Sequence, residues 1–335
     1  MPTITVIGSL NYDVVTTYSR LPNAGETVPA KNFETHNGGK GANQALACAR
    51  LRTKGGQYPS VNVKIIGCVG DDTFGCTLKE FLSKSNVDIS AVRTLDKSTN
   101  IGTGVATILV DEKSGQNRIL VYPGANSLVS KIDVLCAIID PETNNFNTDS
   151  LILQNEIPVS LVQDIIKTTT DRKLGKKPFV IYNPSPIDAS FDSNLYKYVE
   201  CLIVNSTEAK AIVPENVGSL LVDDDNAEQA LQAAVPIFQA LNLPKYLIIT
   251  LGAAGCVYVD GTVSLEARHL PAVKPPKPII DTTGAGDTFL GAIASQLTED
   301  NGLDQALKVA LTASSIAITR KGAGDGIPEF RELVL

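Results

Sequence analysis

Six short apolar runs rich in β-branched residues recur along the chain, at Thr3–Ile7, Val61–Val69, Leu151–Gln154, Pro178–Tyr182, Cys201–Val204 and Lys245–Thr250. Strands this uniformly apolar have no side that can face water, so both faces of the sheet they form must be covered. The cover is written between them. Gly41–Arg50, Thr73–Asn86, Ser130–Ile139, Ser160–Thr169, Ala227–Leu241, Ala285–Gln296 and Leu303–Thr319 carry apolar residues at helical spacing. Alternating βα units of this kind predict an α/β fold with a mostly parallel central sheet and helices on both faces, in a Rossmann-like arrangement.

Two regions break the rhythm. Residues 12–33 and 101–122 read as antiparallel hairpins, the second alternating Thr103, Val105, Thr107 and Leu109 before a turn at Asp111–Gly115. Together they predict a small antiparallel β lid over the ligand edge of the main sheet. Length alone would admit about two domains at roughly 150 residues each. The chain has no repeats and no low-complexity linker, and the four prolines of Pro271–Pro278 read as a stiff loop, so one α/β domain over 1–335 with its lid is expected.

Hydrophobic residues make up 43% and charged ones 19% of the chain, enough apolar material for a large core and too little charge for disorder. A net charge of −7 offers no general attraction to nucleic acid or to an anionic membrane. The longest uncharged apolar stretches, Val309–Thr319 and Thr288–Thr298, fall short of the ~20 residues that span a bilayer. MPTITVIGSL enters a strand directly, with no basic or cleavable leader, so a cytoplasmic protein is expected. The six cysteines form no CxxC pair and lie mostly in apolar runs, which predicts buried, reduced thiols.

The most informative segment runs from Asp281 to Ala292, DTTGAGDTFLGA, a glycine-rich turn feeding an apolar helix. Backbone amides of Gly284, Ala285 and Gly286 at such a helix start form a cradle for an anion, and a phosphate fits it. Asp287 stands beside the cradle, where a carboxylate can take the proton of a hydroxyl attacking phosphorus. The blander alternative makes Asp287 a first-turn helix residue and the glycines a plain turn. The spacing is neither that of a Walker A loop nor of GxGxxG.

A second cluster, NGGKGANQ at Asn37–Gln44, sets Lys40, Asn43 and Gly39 at another helix start, suited to a polyhydroxylated ligand or, more plainly, a glycine-rich loop with a solvated lysine. Polar residues gather at strand ends: Asn11 and Asp13 after the first strand, Gln154 to Glu156, Asn183 and Asn205 after later ones. Open α/β sheets bind ligands there. Thr250-Leu-Gly252-Ala-Ala-Gly255 adds a strand-to-glycine turn that lets backbone approach a nucleotide. His36 and His269 lack metal-ligand spacing and read as structural, and Asp223–Asp225 reads as a solvated loop.

With these residues in view, the sequence resembles the ribokinase-like carbohydrate kinases over nearly its whole length. GGKGANQA at Gly38–Ala45, GCVGDDTFG at Gly67–Gly75, NSTEA at Asn205–Ala209, TLGAAG at Thr250–Gly255 and DTTGAGDTF at Asp281–Phe289 carry the resemblance in order and spacing. The first is the form typical of members that phosphorylate ribose. The resemblance implies transfer of the ATP γ-phosphoryl group to the 5-hydroxyl of D-ribose, with Asp287 as base and the 284–286 amides stabilising the transferred group. It implies that Asn11, Asp13, Gly39, Lys40, Asn43 and Glu156 hold the sugar, that Asn205, Thr250, Gly252 and Gly255 line the nucleotide site together with Gly286, and that Glu208 organises Mg²⁺ through water. It further implies a monovalent cation, K⁺, near Asp281, Thr283, Ala317, Arg320 and Gly322, and a homodimer formed through the lid. Two positions depart from the family. Gly326 replaces a serine that often ligates the cation, and Leu311 stands where a nucleotide-contacting His or Asn is usual. Kinases of the same family acting on adenosine, fructose or another sugar are the neighbouring alternatives, and a non-catalytic sugar-binding protein is the alternative of another class. An NAD-dependent oxidoreductase would need GxGxxG where this chain has Gly8-Ser-Leu-Asn-Tyr-Asp13.

Overall fold

In the computed structural model, which describes residues 1–55, 58–223 and 225–335, the expected alternation is present. β1 (Thr3–Ile7) starts the main sheet, and the chain then leaves it for a hairpin of β2 (Asn11–Tyr18) and β3 (Asn32–Gly38). It returns through α1 (Lys40–Leu51) and a two-residue pair, β4 (Lys54–Gly55) with β5 (Tyr58–Pro59), to β6 (Asn62–Gly70), α2 (Thr73–Lys84) and β7 (Asp88–Leu95). A second excursion forms β8 (Gly104–Asp111) and β9 (Asn117–Tyr122), followed by α3 (Lys131–Ile138). The later units are β10 (Ser150–Gln154), α4 (Val159–Thr169), β11 (Phe179–Asn183), β12 (Cys201–Asn205), the short α5 (Ser206–Ala211) and α6 (Glu215–Gly218), α7 (Ala227–Ala240) and β13 (Tyr246–Thr250). A meander of β14 (Cys256–Asp260) and β15 (Ala267–Leu270) leads to α8 (Ala285–Thr298) and α9 (Leu303–Ala317).

The main sheet has nine strands in the order β15-β14-β13-β12-β11-β10-β1-β6-β7, with only the β13-β14-β15 edge antiparallel. Its apolar strands are covered on both faces, as their composition requires. Alternate side chains enter two layers: Ile4, Val6, Ile65 and Ile152 pack with α1, α8 and α9, whereas Ile7, Ile66, Leu151 and Leu153 pack with α3, α4 and α7.

The small sheet runs β3-β2-β8-β9. Both expected hairpins are antiparallel, and they join through a parallel pairing of β2 with β8, Asn11 opposite Gly104 through Tyr18 opposite Asp111. The first hairpin reaches beyond its expected limits, to Asn11 at one end and Gly38 at the other, whereas β8 and β9 fall within theirs. All six cysteines are free, but Cys76 and Cys136 are exposed, against the expectation of burial. The reason is helical phase. In α2 the buried stripe is Gly75, Leu78 and Leu82, and in α3 it is Val134 and Ile138, so both thiols point away from it. Asp223 and Asp225 are exposed as expected, and Asp224 lies outside the described residues.

Candidate active site

The carboxyl ends of β1 and β10 and the start of α1 converge on Glu156. Its Oε2 accepts from the Lys40 amide at 2.9 Å, from Ser9 Oγ at 2.5 Å and from Asn11 Nδ2 at 3.4 Å. Gly39, with φ 89°, caps α1, and a Cβ there would stand 2.6 Å from the Asn11 amide, so the approach of these two segments needs glycine. Asn11 and Asp13 fall on one face of β2, two residues apart. Asn126 fixes the first of them. Its Nδ2 donates to Asn11 Oδ1 at 2.7 Å, and its Oδ1 accepts from the Leu10 amide at 2.9 Å. Asp13 is buried with its carboxylate against Gly38, and burial together with the nearby Glu156 charge pushes its pKa up to about 7.

The second half is the N-terminus of α8. Gly284 caps it in the left-handed region at φ 77°, with Ala323 Cα 2.7 Å from where a side chain would begin. Asp287, buried in the first turn, is held by two donors from the first turn of α1: Asn43 Nδ2 to Oδ2 at 3.1 Å and Gln44 Nε2 to Oδ1 at 3.0 Å. A carboxylate held this way keeps lone pairs for a substrate hydroxyl. Of the three amides expected to form the cradle, that of Ala285 reaches back to Thr282 O at 3.3 Å, and the first turn of α8 adds the amide of Asp287 to those of Gly284 and Gly286.

A cavity of about 130 Å³ joins this turn to the ends of β11, β12 and β13, lined among others by Lys40, Asn183, Asn205, Glu208, Thr250, Gly286 and Asp287. Asn205 and Glu208 form a capping box on α5, in which Glu208 Oε2 accepts from the Asn205 amide at 3.1 Å and from Asn183 Nδ2 at 3.4 Å. Thr250 Oγ1 donates to Val204 O at 3.3 Å. Burial works against the charge on Lys40, and the carboxylates of Asp287, Glu156 and Glu208 outweigh it, raising its pKa. Gly252 and Gly255 do not line this cavity; they shape the turn after β13, where a Cβ on Gly255 would strike the Leu270 carbonyl.

The expected cation residues lie together beside the cradle. Asp281 Oδ1 accepts from the Thr283 amide at 2.9 Å and Oδ2 from the Gly322 amide at 3.0 Å. The carbonyls of Ala317 and Gly322 converge on Gly326, 3.1 and 2.9 Å from where its Cβ would be, so the missing side chain leaves these oxygens facing one spot. The Arg320 side chain is committed to Glu332 at 2.6 Å, which leaves only its backbone for a cation. Among the described residues no three His, Cys, Asp or Glu side chains gather as metal ligands.

Sequence reasoning missed Ser9, Gln44 and Asn126. Gln44 lies inside the GGKGANQ cluster and adjoins Asn43, so helical phase could have flagged it as a second donor. Asn126 carries no such signal: it reaches Asn11 across 115 positions from a short 3₁₀ helix, Gly124–Leu128. His36, expected to be structural, touches Glu34 and Asp325 at 3.3 and 3.4 Å and bridges the small sheet to the Gly322 loop.

A profile of the pfkB family of carbohydrate kinases matches residues 1–329. The chain is 34% identical to a ribokinase of Schizosaccharomyces pombe, over 99% of this chain and 97% of that one. It superposes on the crystal structure of Thermotoga maritima ribokinase with a TM-score of 0.79 and 31% identity, covering 99% and 98% of the two chains. An Arabidopsis thaliana ribokinase, solved with ribose and ATP, matches with a TM-score of 0.79 at 28% identity over 98% and 96%.

Proposed function

The chain belongs to the pfkB family of carbohydrate kinases, and from that premise we propose that it transfers the γ-phosphoryl group of ATP to the 5-hydroxyl of D-ribose, giving D-ribose 5-phosphate and ADP. The reading is supported by relatives that are ribokinases along nearly their whole length, and by one of similar fold that holds ribose and ATP. The observation that carries the chemistry is the Asp287 carboxylate, buried at the start of α8 between Asn43 and Gln44 and lining the same cavity as Lys40, Asn205 and Thr250.

In this reading Asn11, Asp13, Gly39, Lys40, Asn43 and Glu156 grip the pentose hydroxyls. Asp287 takes the proton of the attacking 5-hydroxyl, and the amides at the start of α8 receive charge on the transferred group. Lys40 adds positive charge between the two substrates. Asn205, Thr250, Gly252 and Gly255 border the nucleotide. The Glu208 carboxylate, an oxygen donor lining the cavity, would hold Mg²⁺ through water, where the ion supplies charge neutralisation for the phosphates. Asp281, Thr283, Ala317, Arg320 and Gly322 would hold K⁺ mainly by carbonyls, with Gly326 leaving room for a water in place of a side chain. The small sheet acts as a lid that keeps water from competing as acceptor. It also offers a homodimer interface, since Ile119, Leu120, Val121 and Tyr122 of β9 are all exposed. A cytoplasmic location accords with the free thiols, and among the described residues no helix is long and apolar enough to cross a membrane.

The test is a coupled assay of ADP release over a panel of acceptors at fixed ATP, with and without K⁺. Ribose is expected to give the highest kcat/KM and K⁺ to raise it; dominance by adenosine or a ketohexose would overturn the assignment.

A further inference from the structure

A large cavity lies away from the kinase site. It is an open cleft of about 1460 Å³ at the amino ends of the parallel strands, bounded by the end of α1, the end of α2 and the 329–331 turn. Its lining carries Arg50, Arg52, Lys64, Lys84 and Arg331 against only Asp88 and Glu329. That excess of positive charge sits in a chain whose net charge is −7. One of the cations has its charge already answered, since Lys84 pairs with Glu80 at 2.7 Å. Lys64, Arg50 and Arg52 meet only neutral backbone carbonyls, Lys64 donating to Ala137 O at 3.3 Å, Arg50 to Gly324 O and Ile327 O, and Arg52 to Val61 O at 3.0 Å. Among the described residues none of the three arginines is paired with a carboxylate within 4.0 Å, and Glu329 turns its carboxylate to the backbone of its own turn. Burial pulls the pKa of Arg50 and Arg52 below the usual guanidinium value, the sign of cations held without enough compensating charge. Ser85, Asn86 and Asn62 add neutral donors to the same wall.

We propose that this cleft is an effector site for a phosphorylated small metabolite, held by Arg50, Arg52 and Arg331 and coupled to the kinase site through α1 and the 324–327 loop. Guanidinium groups bind phosphate oxygens through paired N–H donors, so three arginines lining one cleft suit a phosphorylated ligand better than a single anion of low charge. The route to the active site is short. Arg50 NH1 donates to Gly324 O at 3.1 Å and Ile327 O at 2.8 Å, and the neighbouring Ala323 packs on Gly284 at the phosphate cradle. The same helix that carries Arg50 in its last turn begins at Lys40 and carries Asn43 and Gln44, the two donors to Asp287. A ligand drawing on Arg50 therefore acts on both the loop and the helix that position the base.

Calorimetric titration of the full chain tests the site, with ribose and ADP at saturation to block the kinase cleft. Inorganic phosphate, pyrophosphate and ribose 5-phosphate are added in separate arms, which distinguishes free phosphate from a phosphorylated metabolite. One further binding event is expected, strongest for a ligand with two or more charges, weakened at high salt, and reduced at least about tenfold by Arg331→Glu, as a lost charge-assisted pair implies. Arg331 is exposed, so that variant keeps the fold, and Arg52→Gln supplies a second reading from the buried wall. The effector arm that binds is also expected to shift KM for ribose or ATP in the parent and not in Arg331→Glu. Absence of binding in all arms, binding unaffected by both variants, or binding by inorganic phosphate alone overturns the site as an effector site. Binding without any change in KM or kcat overturns the coupling.

Discussion

At the scale of single residues, the proposed chemistry rests on two carboxyl groups in unlike settings. Asp287 is held by two amide donors, and replacing it with Asn leaves volume and burial nearly unchanged while removing the proton acceptor. Asp287→Asn is expected to retain ribose and ATP binding and to lower kcat by about 10²–10⁴, measured by ADP release and by calorimetry on the same preparation. Near-normal turnover would remove Asp287 from the role of base. Asp13 makes the opposite case. Its carboxyl is raised from 3.8 to about 7 by burial and by Glu156, so the folded chain keeps a proton that the unfolded chain gives up. Unfolding free energy therefore falls as pH rises from about 4 to about 7 and levels off above, by about 4 kcal/mol in all. Asp13→Asn is expected to be the more heat-stable protein at pH 8, with the gap closing toward pH 4, and to bind ribose poorly; parallel Tm–pH curves for the two proteins would sink this account. Most of these residues were legible because glycine-rich turns and polar strand ends announce themselves locally. Ser9 and Asn126 were not, since what they do depends on a partner more than a hundred positions away.

At the scale of elements, α1 and α8 are the pair that decides the site, because α8 carries Asp287, the proposed base, and α1 carries its two donors. They cross where Gly291 of α8 meets Ala47 of α1, with the Cys48 amide 2.9 Å from any added Cβ. Gly291→Leu forces the helices apart. An overpacked contact of this kind typically costs about 1–3 kcal/mol, and the displacement of Asn43 and Gln44 relative to Asp287 is expected to lower kcat more than KM; denaturant unfolding and steady-state kinetics on one variant read both effects. The helices were readable from their apolar stripes to within a few residues at each end. The strands of the parallel core were readable from their unbroken apolar runs. β7 and β15 escaped because edge strands with a wet side lack that signature: β7 has four exposed positions among its eight, and β15 has none buried. Short α5 escaped as well, and its capping box is visible only in retrospect at Asn205 and Glu208.

At the scale of the whole molecule, the small sheet carries Asn11 and Asp13 of the proposed sugar site and leaves β9 bare, with Leu120 at 66% exposure. A second copy of the chain is the proposed cover. Leu120→Lys is expected to convert a sedimenting dimer into a monomer with the helical circular dichroism signal unchanged, and an unaltered sedimentation coefficient would place any dimer contact elsewhere. The way this sheet is joined has a separate consequence. Because β2 meets β8 in parallel, the two hairpins are stitched through their inner strands, though the chain makes them at widely separated times during synthesis. Neither can be trimmed away by itself without stripping its companion of a full row of backbone partners and baring a sticky edge. The roof over the sugar is thus gained or lost as a matched couple of insertions, and shortening it by protein engineering must remove both or neither.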